Sequence, residues 1–596
     1  MQKDNLKKNG SQTFLKGAMV LSISMIIVKL CGMVYKIMLT RIYSMFGDQY
    51  AGIGTGIFSN AYEIYIPLFT LATAGFPIAV SRLISESVAK ERYKDVRQIH
   101  KVSKPFFIIM GLVSFMLMIG ISFIYVDIVK SPYSIYSLMM LAPSVFFGCI
   151  VSIYRGYFEG LRNMVPTAIS EIVEACVKMI LGLSLAYLVM RFGMNEYNAK
   201  GTIFTLSFAS ETEAMNTLIG FSVASAIFAI SLGGFLAYIS LKIIYKRRKN
   251  DIPEEYYENS VDALSRRETF VNLVKTAIPI GLAALVMSIS SSIDTIIIQK
   301  VLYNMAIENR EALLAQFNGK LDSHIPLNPT ESNPITIHTY LMGAFSCALT
   351  VMQLITAVTQ VFGTSAMPSV TNAYTKGDKT ELKKSIETVL KLTMLVTLPA
   401  GLGMFALPYP IISLLYDGYV AVVAADVLRV MGLSVIVVAV STPICSMLQG
   451  VGRVDLPLKL YSIAMILKLA TNYAFVNIVE INIVGGAVGS LVSFIFVCIV
   501  GMYFLIKKAG VMPDFLNTTI KPFFSAVICA VAAYATYGLL ENVIAGAFAT
   551  IVSIIVAAVV YLVSLLLLHT FAENEVKMLP KGNNVVTILA KLHLLR

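Results

Sequence analysis

Tryptophan is absent from this sequence of 596 residues, and charged residues make up only 14% of it. Soluble domains carry about 25% charged residues, so the shortage of charge excludes a soluble globular protein. Hydrophobic residues instead account for 57% of the chain. We therefore predict an all-α, polytopic membrane protein, in which the 29 tyrosines supply most of any aromatic belt at the membrane interfaces.

The sequence also lacks the motifs of enzymes and of metal sites. It has no Walker-type loop, no adjacent aspartates and no nucleophile-triad signature. The five histidines share no metal-ligand spacing, and the seven cysteines form no C-x-x-C pair. We expect no enzymatic activity and no cofactor, and whether a metal binds stays open. An integral-membrane lipid-processing enzyme is the alternative that these absences disfavour.

Apolar segments long enough to cross a membrane recur along the whole chain. A spanning helix needs about 20 apolar residues, and fourteen segments meet that length. The predicted spans are 14–42, 52–80, 105–126, 134–158, 164–190, 218–241, 271–300, 336–364, 385–408, 420–448, 457–479, 482–506, 520–540 and 543–569. The first is too long and too charged for a cleaved signal peptide, so we interpret it as a retained span.

Lysines and arginines are distributed unevenly between the two sides of these spans. With the N-terminus inside, the cytoplasmic segments hold 34 of them and the opposite side holds 7. Basic residues favour the cytoplasmic side, so this asymmetry fits both termini being cytoplasmic. It also explains the net charge of +12 as a topology signal, and we expect no nucleic-acid partner. We predict a multi-pass protein of the bacterial plasma membrane.

The chain contains an internal repeat. Gly160 and Lys178 recur as Gly450 and Lys468, each 290 residues later. One repeat therefore comprises six spans, and this even number keeps the two copies in the same orientation. We predict two six-helix lobes across a central cavity, the architecture of an alternating-access transporter, plus two extra C-terminal helices.

This repeat predicts five regions of the chain. They are an N-terminal six-helix lobe (1–244), a charged cytoplasmic linker (245–270), a C-terminal six-helix lobe (271–508), two additional transmembrane helices (509–570) and a cytoplasmic tail (571–596).

Three segments carry a resemblance to a known family. "LATAGFPIAVSRLISE", "YRGYFEGLRNMVPTAISEIVEA" and "LQGVGRVDLP" resemble the polysaccharide-export branch of the multidrug/oligosaccharidyl-lipid/polysaccharide exporter superfamily. The resemblance implies a V-shaped pair of six-helix lobes whose last two spans line a lipid groove. It also implies that an undecaprenyl-diphosphate-linked sugar, lipid II or a polysaccharide precursor, is flipped from the inner to the outer leaflet.

The same resemblance implies a role in cell-wall, spore-cortex or polysaccharide assembly. The partners it implies are a lipid-linked oligosaccharide, membrane lipids and a cell-wall or spore-assembly complex. A cation-coupled multidrug exporter of the same superfamily is the alternative function. The sugar, the lipid carrier, the coupling ion and the oligomeric state stay open.

Two lysines stand inside the first predicted span, where each costs roughly 2.5 to 3.5 kcal/mol on insertion scales. Lys29 and Lys36 are two turns apart, about 10 Å along one helix face. If that face lines a cavity, the lysines form a cationic column for a diphosphate. The resemblance places Lys29 where family members carry an arginine. The alternative is that Lys29 pairs with an internal acid such as Glu63, while Lys36 extends to the interface.

Other charges are candidates for the substrate site. Glu63 and Asp294 lie in apolar surroundings, where they act as counter-ions to the lysines, as a cation-coupling site or as structural hydrogen-bond partners. Arg82 and Arg155 lie at cytoplasmic helix ends, where topology alone would place them. Their alternative role is to admit a phosphate from the cytoplasmic leaflet.

Glu171, Glu174 and Lys178 are candidates for ion coupling. Their spacing of i, i+3 and i+7 puts them on one face of the fifth span. Glu174 and Lys178 are predicted to pair at i, i+4, which leaves Glu171 without a partner on its own helix. That carboxylate either exchanges a proton or small cation during transport, or hydrogen-bonds a neighbouring helix.

Overall fold

The computed structural model describes residues 14–73, 75–247, 252–317, 337–453 and 455–571. Apart from a two-residue-per-strand hairpin, β1 (Thr202–Ile203) and β2 (Leu206–Ser207), the regular structure of these residues is helical. The helices are α1 (Phe14–Ser44), α2 (Asp48–Thr73), α3 (Gly75–Ala89), α4 (Tyr93–Val129), α5 (Ser134–Gly160), α6 (Val165–Lys200), α7 (Glu211–Arg247), α8 (Glu254–Glu258), α9 (Arg266–Glu308), α10 (Arg310–Gln316), α11 (Ile337–Lys376), α12 (Lys379–Ala406), α13 (Pro408–Ser413), α14 (Gly418–Gly450), α15 (Asp455–Val476), α16 (Gly485–Ala509), α17 (Lys521–Leu540) and α18 (Gly546–Leu567).

Eleven helices of the described residues are long and apolar enough to cross a membrane. The remaining three predicted spans are helical as well, in α2 with α3, in α9 and in α15. The prediction of an all-α, polytopic membrane protein is therefore confirmed. The predicted span 52–80 comprises the end of one helix and the start of another. Pro77 lies in the first turn of α3, where its missing N–H has no helical partner to lose.

The chain divides into two compact units. Unit 1 is Met1–Arg310 with Asp322–Gly343, and unit 2 is Glu311–Leu321 with Ala344–Arg596. Helix α9 packs on α2, α3 and α4 and so belongs to unit 1. The internal repeat predicts a domain boundary between residues 270 and 271. The compact units are defined by contacts and not by the repeat, so this boundary stays a prediction.

Small residues let the helices of unit 1 approach closely. A Cβ atom on Gly156 would lie 2.8 Å from the carbonyl oxygen of Pro77, and one on Gly160 would lie 2.7 Å from Cβ of Ile84. The two glycines are four residues apart and therefore form one flat face of α5 against α3. This contact holds α3 beside the end of α5, from which Arg155 projects.

Helix α2 and the first residues of α11 cross even more closely within unit 1. A Cβ atom on Gly56 would lie 2.0 Å from the carbonyl oxygen of Thr339, and one on Gly343 would lie 2.0 Å from the carbonyl oxygen of Gly52. Real Cβ atoms do not approach a carbonyl oxygen to this distance, so the two backbones touch directly. Any side chain at Gly56 or Gly343 would force the helices apart.

In unit 2, the last two helices pack on α12. The hydroxyl of Tyr561 on α18 donates to the carbonyl oxygen of Leu395 at 3.1 Å. Lys391 is buried, and its Nζ donates to the carbonyl oxygen of Thr570 at 2.6 Å. A basic side chain that binds the carbonyls after a helix end stabilises that end. Lys391 therefore fixes the chain just beyond α18.

Candidate functional site

Charged side chains inside unit 1 gather where α1, α2, α5 and α6 meet. Helix α5 ends at Gly160 and α6 begins at Val165, and Pro166 fits the first turn of α6 because that turn needs no N–H donor. The short turn brings the last residues of α5 beside the first residues of α6. Arg155 and Glu174 consequently lie at the same level of the two helices.

Arg155 connects the two helices through a partly buried ion pair. Its Nη2 lies 3.2 Å from Oε2 of Glu174, and its Nε donates to Oγ of Ser170 at 2.9 Å. The side chains of Arg155 and Glu174 are 19% and 30% exposed. The prediction that Glu174 pairs with Lys178 is therefore wrong. The arginine of the neighbouring helix reaches the carboxylate through Nη2, whereas Nζ of Lys178 donates to the hydroxyl of Tyr62.

Lys178 lies among aromatic rings from α1 and α2. Its Nζ is 4.9 Å from the ring centre of Tyr35, 5.0 Å from that of Tyr62 and 5.9 Å from that of Phe58. It also donates to the Tyr62 hydroxyl at 3.3 Å. A cation over ring faces is stabilised by their quadrupoles, by about 2 kcal/mol or more when desolvated. The rings therefore stabilise the charge of Lys178 within the helix bundle.

The remaining carboxylates of this cluster accept hydrogen bonds from hydroxyl groups. Oγ of the buried Ser24 on α1 donates to Oε2 of Glu171 at 3.0 Å. Oγ1 of Thr167 donates to Oε1 of Glu159 at 3.1 Å. Sequence reasoning missed Glu159, although it stands inside the quoted segment "YRGYFEGLRN". Glu159 lies near Glu171 and Glu174 because α5 packs against α6. The spacing of residues along a single helix cannot predict this contact between two helices.

These acidic groups and Arg155 line one cavity of about 200 Å³. Its other walls include the hydroxyl-bearing residues Ser144 and Ser152 and the ring of Phe69. Such a cavity is large enough for water or a small cation and too small for a sugar-lipid head group. Among the described residues, no group of three or more His, Cys, Asp or Glu side chains is placed to hold a metal ion.

The two lysines of α1 differ in exposure. The side chain of Lys29 is exposed and that of Lys36 is half-buried. Between them, the buried Tyr35 donates its hydroxyl to the carbonyl oxygen of Ala226 at 3.2 Å and so fixes α1 on α7. Lys29 is therefore accessible to a ligand from outside the packed interior of unit 1.

Two other predicted site residues, Glu63 and Arg82, do not line the cavity around Arg155. Glu63 is half-buried on α2, and its backbone carbonyl accepts a hydrogen bond from Ser292 of α9. Arg82 is exposed on α3 and lines a second cavity, near the start of α4. Asp294 belongs to α9, but its side chain lies outside the described residues. The roles predicted for these residues stay predictions.

Comparison with known proteins identifies relatives that match most of the chain. Lipid II flippase MurJ of Bacillus subtilis (strain 168) is 22% identical over 516 residues, which are 84% of this chain and 84% of the relative. Stage V sporulation protein B of the same organism is 20% identical over 582 residues, 96% of this chain and 98% of the relative.

Solved structures share the fold. An inward-facing multidrug resistance MATE family transporter of the MOP superfamily has a TM-score of 0.57 at 14% identity, covering 83% of this chain and 99% of that structure. Lipid II flippase MurJ in its inward closed conformation has a TM-score of 0.53 at 14% identity, covering 92% and 97%. At this identity the likeness shows the fold alone.

Family models match both halves of the chain and confirm the predicted resemblance. The model described as MatE matches residues 336–474. The model described as Polysaccharide biosynthesis protein matches residues 14–318, just over half of the 596 residues. The chain therefore belongs to the polysaccharide biosynthesis protein family, within the multidrug/oligosaccharidyl-lipid/polysaccharide exporter superfamily.

Proposed function

We propose that this protein flips an undecaprenyl-diphosphate-linked sugar, lipid II or a polysaccharide precursor, from the inner to the outer leaflet by alternating access. The family match supports transport of this class, and two relatives along most of the chain are described as a lipid II flippase and a stage V sporulation protein. The protein would act in the bacterial plasma membrane with both termini cytoplasmic. Its partners would belong to a cell-wall, spore-cortex or polysaccharide assembly complex.

The observation that carries this proposal is the lysine pair on α1. Lys29 and Lys36 lie two helical turns apart on a membrane-spanning helix, and the side chain of Lys29 is exposed. A lysine ammonium is a compact charge with three rotatable donors, which suits a phosphate that must bind and then leave. The two lysines would pair with the diphosphate, and the lipid tail would stay in the bilayer.

The cluster around Arg155 supplies a candidate for ion coupling. Glu174 has a cationic partner, and Lys178 has its aromatic rings. The hydrogen bond of Glu171 comes instead from a neutral hydroxyl, that of Ser24. Glu171 can therefore gain a proton or a small cation without breaking an ion pair. We propose that this exchange accompanies the transport cycle.

A second candidate function is cation-coupled multidrug export. The observation that favours it is the cavity lined by Glu159, Glu171 and Glu174, because three carboxylates against the single cation Arg155, among the described residues, give its lining an excess of negative charge that attracts cations. A multidrug exporter would not need the lysines of α1, however. Transport of cationic drugs that survives replacement of Lys29 would support this second function.

The test uses a bacterial strain depleted of its own lipid II flippase. Lys29→Ala should abolish complementation, because it removes a charge that binds the diphosphate without disturbing the buried side of α1. Lys29→Arg should retain part of the function because the charge persists. Lys376→Ala, which removes an exposed lysine at the end of α11, is the control and should complement fully.

Protein levels in the membrane must be equal for all three variants. The same variants, reconstituted in vesicles with a fluorescent undecaprenyl-diphosphate sugar, should show the same order of flipping rates. Normal flipping by Lys29→Ala would refute a diphosphate-binding role for this residue.

A further inference from the structure

A second cavity of unit 1, about 410 Å³ in volume, opens beside the start of α4. It lies on the side of the membrane that the charge distribution predicts to be cytoplasmic. One wall is the last part of α3, a second is the first part of α4, and the third is formed by the first turns of α9. Its volume is within the range of small-molecule sites.

The third wall is held in place by residues 252–265, which belong to the charged cytoplasmic linker predicted for 245–270. Asp262 pairs with Nζ of Lys94 at 3.0 Å. The backbone N–H of Leu264 donates to Oδ1 of the buried Asp95 at 2.7 Å. These contacts attach the segment to α4 immediately before α9 begins. The walls of the cavity are therefore held together by specific contacts between the linker and α4.

The charges that line the cavity do not cancel. Lys90 pairs with Glu86 at 2.6 Å, and Arg92 pairs with Asp95 at 2.5 Å. Two further cations line the same cavity, Arg82 from α3 and Lys275 from α9. Neither has an ion pair within the part of the chain that the structure describes. An excess of two positive charges consequently remains in the cavity.

The neighbouring cations act on the carboxyl group of Glu86. The hydrogen bond and charge of Lys90, together with the charge of Arg82, lower the pKa of the Glu86 carboxyl. The cavity also offers the exposed side chain of Asn272, whose amide can donate to an oxygen. A concave site lined by cations from two different helices and by an amide suits a multivalent oxyanion.

We propose that this cavity binds a phosphate-bearing anion, with Arg82 and Lys275 as its cationic ligands. The proposal does not depend on the flipping of a lipid-linked sugar. The phosphate can come from the head group of an anionic lipid in the adjacent leaflet or from a soluble phosphate compound. The two sources share the same chemistry at the site, and the experiment separates them.

The experiment uses the full chain in nanodiscs. In the first arm the lipid is phosphatidylcholine, and pyrophosphate is titrated by calorimetry at constant ionic strength. In the second arm phosphatidylglycerol replaces part of the lipid, and the midpoint of thermal unfolding is measured. Arg82→Gln/Lys275→Gln is compared with Lys101→Gln/Arg267→Gln, which removes two exposed cations that do not line the cavity. Arg82→Lys/Lys275→Arg keeps both charges.

The wild type, the control and the charge-keeping variant should bind alike. The Arg82→Gln/Lys275→Gln variant should bind pyrophosphate about tenfold more weakly or worse, since charge-assisted hydrogen bonds are lost. Such a loss supports a site for soluble phosphate. If pyrophosphate does not bind, but phosphatidylglycerol raises the unfolding midpoint of every protein except that variant, the site takes a lipid head group.

Equal responses of the cavity variant and the control in both arms would overturn the proposal. If the double variant does not fold, Lys275→Gln alone is compared with Arg267→Gln, because both residues lie on the exposed start of α9. Lys275→Gln must then weaken the response on its own. An equal response of these two single variants would overturn the proposal as well.

Discussion

The ion pair between Arg155 and Glu174 should be measurable as a coupling energy. Arg155→Gln removes both the Nη2 contact to Glu174 and the Nε contact to Ser170. Breaking a fully buried pair costs about 3–5 kcal/mol, whereas an exposed pair is worth about 0.2–1 kcal/mol. The two side chains are 19% and 30% exposed and border a cavity. We therefore expect Arg155→Gln to lower the free energy of unfolding by about 2 kcal/mol.

The partner substitution should cost less. Glu174→Gln keeps an oxygen acceptor and leaves Arg155 bound to Ser170, so we expect a loss of about 1 kcal/mol. The double variant Arg155→Gln/Glu174→Gln has no unpaired charge and should lose about 1–2 kcal/mol, less than the sum of the single losses. The coupling energy of the pair is then about 1 kcal/mol or more.

The assay is equilibrium unfolding in mixed micelles with dodecyl sulfate, followed by circular dichroism. Arg267→Gln, an exposed arginine at the start of α9, is the control and should change the free energy of unfolding by less than about 0.5 kcal/mol. Additive losses in the double variant would refute the ion pair as a stabilising contact. In that case Arg155 would be held by Ser170 alone.

Three further outcomes are expected. Glu171→Gln should remove the dependence of flipping on pH or on an ion gradient while keeping the hydrogen bond to Ser24; an unchanged dependence would exclude Glu171 as the coupling group. Lys391→Met should speed amide hydrogen exchange at the end of α18 about tenfold, since one charge-assisted hydrogen bond is lost, and exchange as slow as in the Lys384→Met control would contradict this. A cysteine in place of Asp417 should react with an impermeant thiol reagent on intact cells, and one in place of Glu255 should not; the reverse pattern would invert the predicted topology.

The sequence predicts the helices of this protein well because apolar length is a local property. Each predicted span is helical in the structure, since a segment that must cross a bilayer satisfies its backbone hydrogen bonds within itself. The break within span 52–80 was missed even though Pro77 marks the first turn of α3. Because the apolar run continues from one helix into the next, hydropathy alone does not show where the first helix ends.

The candidate site was predicted only in part because its contacts join different helices. Spacing along α6 predicted that Glu174 would meet Lys178, but Arg155 of α5 takes the carboxylate. The rings around Lys178 come from α1 and α2, more than a hundred residues earlier in the chain. The linker is attached to α4 by charged residues such as Lys94 and Asp262. These residues lie on different segments, so the spacing of residues along one helix does not predict that they meet. Such pairings depend on which helices are neighbours, and one sequence does not give that.

The contact between α2 and the start of α11 has a mechanical consequence. At Gly56 and Gly343 the two backbones touch with no side chain between them. Sliding either helix along its axis would move these glycines away from the opposing carbonyl oxygens and bring residues that carry a Cβ atom into the contact. The glycines therefore fix the axial register of α2 and α11, and a shift of one helix along the other requires the two helices to separate first.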